Sequence, residues 1–198
     1  MKTVKMLFWE VRRMFKEHPA QLIMLLSVLS PLAGLTLYKP ASAETMLSMY
    51  LANPALAGGV VSGILFGLFT VYELDRTVRN RVDVITDAVV SPMRTALIRL
   101  LMLLFMSLVM LLITTAVWCP VTLIKTGAVF DMTDHCLAYI LFMGLSMPAA
   151  ILAAAAAYQF TRRADLSLVL FAAFAGLSLT VWADDWQLCW LNPCVWAL

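Results

Sequence analysis

Charged side chains are scarce in this chain. They make up 13% of its 198 residues, whereas a typical soluble domain has about 25%. Histidine occurs only twice, which leaves little material for acid–base catalysis at neutral pH. No phosphate-binding loop, HExxH motif or GxSxG motif occurs anywhere in the sequence. We therefore predict that the chain is not an enzyme and that it binds no cofactor of its own.

Metal-binding patterns are also missing. Four cysteines occur without any CxxC or HxxxH spacing, which argues against a zinc site. All four, Cys119, Cys136, Cys189 and Cys194, are expected to be unpaired, partly buried thiols. The alternative is a disulfide between Cys189 and Cys194 in an oxidising compartment. Three further potential ligands share one short loop, where such residues are more often solvated than metal-bound: Asp131, Asp134 and His135.

Apolar residues, in contrast, dominate the sequence at 63%, with a mean hydropathy of +0.89. Membrane-spanning helices need about 20 consecutive, mostly apolar residues. Four stretches without Asp, Glu, Lys, Arg or His meet this length, and a fifth is only just long enough. They are 19–38, 45–72, 100–124 and 136–161, followed by 166–183. The predicted fold class is therefore all-α: a polytopic membrane bundle of about five transmembrane helices.

Basic residues are distributed unevenly around these apolar runs. Twelve of the 14 Lys and Arg residues fall before the first run, between the second and third, or between the fourth and fifth. Only Lys39 and Lys125 remain for the other side. Because cytoplasmic loops are enriched in Lys and Arg, this asymmetry predicts a cytoplasmic N-terminus. We expect a multi-pass protein of the plasma or inner membrane, surrounded by lipid and without a nucleic-acid partner.

The first 18 residues differ from the rest of the chain. Apolar side chains recur at helical spacing on one face, with basic residues largely on the other, which predicts an interfacial helix over 1–18. A plain cytoplasmic extension of the first span is the alternative. The transmembrane domain then covers 19–198, beginning at Pro19, and Pro31 and Gly34 predict a kink in its first span.

Three glycines follow one another at intervals of four residues in the second apolar run: Gly59, Gly63 and Gly67. Small residues at this spacing let a neighbouring helix approach closely. We expect the neighbour to lie in the same chain, although a second subunit is an open alternative.

A charged segment separates the second and third runs. Val78, Val82, Ile85 and Val89 fall at helical spacing, which predicts a short amphipathic helix over about 78–90. Ser91-Pro92 has the pattern of a helix start and begins the third run. A structured helix in a cytoplasmic loop is suited to contact a soluble partner. An ordinary solvated loop is the alternative.

Three sequence stretches together resemble the permease subunits of type-2 ATP-binding-cassette exporters: WEVRRMFKEHPA, YELDRTVRNR and VVSPMRTALIRLL. The resemblance implies an elbow helix along the membrane, a coupling helix after the second span, and a second permease copy or paralogue. It also implies a separate cytoplasmic ATPase subunit, which would bind ATP and magnesium. By position, the coupling residues would be Glu73, Arg76, Arg79, Arg81, Asp83, Ile85, Thr86 and Asp87.

The chain departs from that family in one respect. Such permeases usually have six spans, whereas here the fifth is followed by a Trp-rich segment, 183–198, expected at the outer interface. The chain is then either a fragment of a longer permease or a shortened variant. The leading hypothesis is export of an amphipathic or hydrophobic substrate. The alternative is a non-transporting accessory or immunity protein that acts through helix–helix binding. An ATP-independent carrier is less favoured, because no inverted repeat is visible.

Overall fold

Helices account for nearly all of the regular structure in the computed structural model of this chain, which describes residues 2–37, 45–80 and 92–184. No strand occurs within these ranges. A short π-helical turn (Ser48–Ala52) leads into the fourth helix, and a 3₁₀ turn (Gly127–Val129) follows the fifth. The helices are α1 (Lys2–Met14), α2 (His18–Leu29), α3 (Leu32–Thr36), α4 (Asn53–Arg79), α5 (Pro92–Thr126), α6 (Met132–Thr161) and α7 (Ala164–Asp184).

Four of the described segments are long and apolar enough to cross a membrane: His18–Thr36, Ser48–Arg76, Met93–Val129 and Met132–Thr161. The chain thus has the architecture of a helical membrane protein, as the sequence predicts. The fifth predicted span coincides with α7, which has 21 residues and an apolar portion of Ala164–Leu177. The total of five spans stays a prediction.

The first span is interrupted where the sequence predicts a kink. Helix α2 ends at Leu29, and Pro31 precedes the short helix α3. Proline has no backbone N–H to donate, so the helical hydrogen-bond ladder is broken at this point. The hydroxyl of Ser30 donates to the Ser27 carbonyl over 2.7 Å. The break brings Gly34 so close to the Asn53 backbone that a Cβ at Gly34 would collide with it.

Close packing along α4 uses the three regularly spaced glycines, and the neighbours belong to the same chain. A Cβ at Gly59 would lie 3.1 Å from the Ser146 hydroxyl of α6, which donates to the Gly59 carbonyl over 2.7 Å. At Gly63 the nearest atom would be the Ser146 carbonyl oxygen at 3.4 Å. At Gly67 a Cβ would overlap the Phe171 ring of α7. These contacts place α4 at the centre of the bundle, against both α6 and α7.

Two ends of the bundle differ in charge. We call one of them the basic end. It contains α1, the last turns of α4 and α6, and the first turns of α5 and α7. Its arginines include Arg13, Arg76, Arg99 and Arg162. At the opposite end the Trp118 indole N–H of α5 donates to the Val28 carbonyl of α2 over 2.8 Å. Helix α5 runs through both ends with 35 residues, a length of about 52 Å at 1.5 Å per residue.

Candidate functional site

A cluster of charged side chains lies at the basic end. Glu10 and Arg13 belong to α1, and Glu17 is the N-cap residue of α2. Arg13 is the centre of the group. Its Nε donates to Glu10 Oε2 over 2.7 Å, one terminal nitrogen donates to Glu17, and the other donates to Glu73 Oε2 of α4 over 2.7 Å.

Glu73 is the most deeply placed member of this charge cluster, with 0% of its side chain exposed. A buried carboxylate needs paired charge and hydrogen bonds, because desolvation is otherwise very costly. Arg13 supplies both to Oε2, and Arg76 Nη1 lies 3.8 Å from that same oxygen, whereas Oε1 has no hydrogen-bond partner among the described residues. Arg99 of α5 donates to the Glu73 backbone carbonyl over 3.2 Å. One residue thereby joins α1, α4 and α5.

Arg13 keeps its charge in this partly buried setting. Burial works against the guanidinium, but the hydrogen bond and the charge of Glu73, helped by Glu10, outweigh it and raise the pKa of Arg13 above its ordinary value. Arginine is charged at all physiological pH values in any case. Arg13 therefore contributes a positive charge to the contact between α1 and α4 at all physiological pH values.

The geometry corrects two expectations about which side chains face outward. Glu73 was expected to contact a soluble partner, but its carboxylate is enclosed by the chain's own helices and is not accessible. Arg13 was expected on a solvated basic face of α1. It points into the protein instead, whereas Phe8 and Trp9 are 64% and 63% exposed. The ion pair between Arg13 and Glu73, which are 60 residues apart, determines the orientation of α1. Helical periodicity within α1 cannot predict such a pair.

The other described coupling residues have mixed roles. Arg76 is half-buried and donates to Glu17, the N-cap residue of α2, over 3.2 Å, so it links the end of α4 to the start of α2. Arg79, in the last turn of α4, is exposed, and its guanidinium carbon lies 3.9 Å from the centre of the Tyr72 ring. Of the predicted coupling residues that the structure describes, Arg79 is the one placed for contact with a partner.

The remaining coupling residues lie outside the described residues: Arg81, Asp83, Ile85, Thr86 and Asp87. The predicted helix over 78–90 therefore stays a prediction beyond Asn80. The same holds for the Trp-rich segment from residue 185 onward and for Cys189 and Cys194. The structure does describe the two helices on either side of this segment: α4 ends at Arg79 and α5 begins at Pro92.

A hydrogen bond joins α6 to α4 at the same end. The Tyr158 hydroxyl donates to Asp75 Oδ1 over 3.1 Å. Asp75 and Glu73 are two residues apart and therefore point to different sides of α4. The last turns of α4 are held by α1 and α5 on one side and by α6 on another.

Sequence reasoning missed a buried histidine at the opposite end. His135 was expected in a solvated loop, but it belongs to the first turn of α6, which Asp131 caps by accepting from the Thr133 N–H over 2.7 Å. The side chain is fully buried, its Nε2 lies 3.0 Å from the Thr115 carbonyl of α5, and its ring centre is 4.8 Å from that of Tyr139. The Asp-x-Thr capping pattern was the available signal.

No metal site emerges from the described residues, which contain no group of three or more His, Cys, Asp or Glu side chains able to hold an ion. Cys119 and Cys136 are free thiols. The Cys119 thiol lies 3.6 Å from the Met132 sulfur, a contact that joins α5 and α6.

Comparison of the chain with protein-family models, with curated proteins and with solved structures gives no match.

Proposed function

We propose that the chain is the permease subunit of an ATP-binding-cassette exporter and works with a separate ATPase that binds ATP and magnesium. The observation that carries this proposal is the link from Arg13 through Glu73 to Arg99. It ties α1 and α5 to the last turns of α4, next to the segment expected to receive the ATPase. A force applied there would act on three helices at once.

The force would then travel along α4. This helix has 27 residues and is about 40 Å long at 1.5 Å per residue, so a displacement at Arg79 reaches the opposite end. The contacts at Gly59 and Gly63 would carry the motion to α6. Discrete packed interfaces of this kind transmit shifts because a close-packed core does not deform smoothly.

The expected substrate is amphipathic or hydrophobic. The four long apolar segments contribute few ionisable groups, and the Glu73 and Arg99 side chains are engaged with the protein itself. A small ion normally needs charged or polar coordinating groups along its path. A second permease copy or a paralogue would complete the transport pathway.

Affinity purification in mild detergent tests the proposal. We expect a stoichiometric ATPase to accompany the tagged chain. Reversing two charges in the segment between α4 and α5, with Asp83→Lys and Asp87→Lys, should lower its recovery at least tenfold, because reversed charges at an interface repel the partner. The matched control is Asp165→Lys, an exposed acidic residue in the first turn of α7 at the same end. It should leave recovery unchanged.

Three results would contradict the proposal: no ATPase with the unmodified chain, equal loss with the Asp165 control, or full recovery after both reversals. The first of them would favour the accessory or immunity function, in which the helices themselves bind another membrane protein.

A further inference from the structure

A groove opens at the basic end between the first turns of α5 and the last turns of α6. Its volume is about 640 Å³, within the range of ligand-binding pockets in general. The walls are almost wholly apolar, and small residues on both helices keep the groove open. Its main lining residues are Ala96, Leu97, Leu100, Leu152, Ala155 and Ala156. We call it the alanine groove.

The alanine run of α6 explains the shape. Ala154 is fully buried toward α4, whereas Ala155 and Ala156 face the groove. Larger side chains at these two positions would fill the space between the helices. The run from Ala153 to Ala157 therefore does two things: one face packs closely within the bundle, and another leaves a concave apolar surface open to the surroundings.

The two polar residues among those that line the groove follow the alanines along α6. They are Gln159 and Arg162, which lie three and six positions after Ala156. Arg162 ends α6 with a left-handed backbone (φ 53°), and its N–H donates to the Tyr158 carbonyl over 2.8 Å. The Arg162 side chain is exposed and forms no ion pair with another described residue.

An arginine guanidinium recognises phosphate with two parallel hydrogen bonds. Basic pockets between transmembrane helices on the cytoplasmic side suit anionic lipid headgroups.

We propose that the alanine groove binds one anionic glycerophospholipid, with an acyl chain between α5 and α6 and the phosphate held by Arg162 and Gln159. Apolar walls inside two candidate membrane segments select a lipid tail. Arg162, which forms no ion pair with another described residue, selects negative over zwitterionic headgroups. The proposal does not depend on the exporter function, because it involves neither the ATPase nor the segment 81–91.

Native mass spectrometry of the purified full chain tests this site. The protein is incubated with equal amounts of phosphatidylglycerol and phosphatidylcholine that carry identical acyl chains. We expect the unmodified chain to retain phosphatidylglycerol about tenfold more strongly. Both lipids carry the same phosphate, but only phosphatidylcholine adds an ammonium group, which cancels the negative charge and is repelled by the Arg162 guanidinium. The difference in headgroup charge therefore sets the ratio.

Two pairs of variants separate this site from general lipid binding. Arg162→Gln should bring the ratio close to one, whereas Arg163→Gln, the exposed neighbour that does not line the groove, should keep it. Ala156→Phe should fill the groove and remove both lipids. Its control, Ala172→Phe on the exposed face of α7, should leave retention unchanged.

The proposal is overturned by an unmodified chain that retains the two lipids equally, or by equal effects within either pair of variants. Retention of no lipid at all would also overturn it.

Discussion

Replacing Arg13 with methionine is expected to lower the free energy of unfolding by about 3 kcal/mol, the lower end of the range for breaking a buried ion pair. The substitution leaves the Glu73 carboxylate buried without its nearest cation, which lies 2.7 Å away in the native chain. Arg76, at 3.8 Å, compensates only in part. Unfolding by sodium dodecyl sulfate in mixed micelles, followed by tryptophan fluorescence, measures the change.

The neighbouring arginine supplies the control. Arg12 is exposed and lies 5.6 Å from the Trp9 ring centre, outside the charge cluster. Arg12→Met should change the stability by no more than about 0.5 kcal/mol, as is usual for surface positions. Equal destabilisation by the two substitutions would show that the loss comes from removing a basic side chain from α1, and not from the pairing with Glu73.

The double variant Arg13→Met/Glu73→Gln provides a sharper test of the pairing itself. Glutamine keeps the shape of Glu73 but carries no charge, so no uncompensated charge stays buried. We expect the double variant to be more stable than Arg13→Met alone, with a coupling energy above about 1 kcal/mol. Additive effects would contradict the ion pair.

A single methyl group added at Gly59 should destabilise the chain by about 1–3 kcal/mol, the usual range for overpacking a tight core. In Gly59→Ala the new Cβ would lie 2.6 Å from the Phe142 carbonyl oxygen, so α4 and α6 must move apart. The hydrogen bond from Ser146 to the Gly59 carbonyl would lengthen at the same time. The same unfolding measurement in mixed micelles applies.

Gly176 of α7 is the matched control, because a Cβ there meets no atom within 4 Å. Gly176→Ala should stabilise the chain by up to about 1 kcal/mol, because alanine has the higher helix propensity. The two substitutions add the same atom to a helical glycine and are expected to have opposite signs. A common sign would mean that the α4–α6 contact does not control the Gly59 effect.

Local patterns in the sequence predicted the features that depend on local physics. The apolar runs predicted the long helices, Pro31 predicted the break between α2 and α3, and the spacing of Gly59 and Gly63 predicted close helix contact within the chain. Each of these follows from backbone geometry or from side-chain size at a fixed interval. None of them requires knowledge of distant residues.

The charge cluster could not be predicted from local patterns, because its members are far apart in the sequence. Arg13 and Glu73 are 60 residues apart, and each belongs to a helix whose polar positions look solvated when it is considered alone. His135 was missed for a similar reason, since its burial depends on the Thr115 carbonyl of α5. Periodicity predicts the face of the helix on which a residue lies. Which other residues pack against that face depends on tertiary structure.

The length of α5 has a mechanical consequence. The helix is about 52 Å long, whereas the hydrocarbon core of a bilayer is about 30 Å thick. A thinner membrane therefore favours a greater tilt of this rod, and tilting by 5° about its midpoint displaces each end by about 2 Å. Arg99 joins one part of α5 to α4 by a hydrogen bond, and Trp118 joins another part to α2. A change in bilayer thickness would therefore change the tilt of α5 and displace the helices next to the proposed ATPase contact.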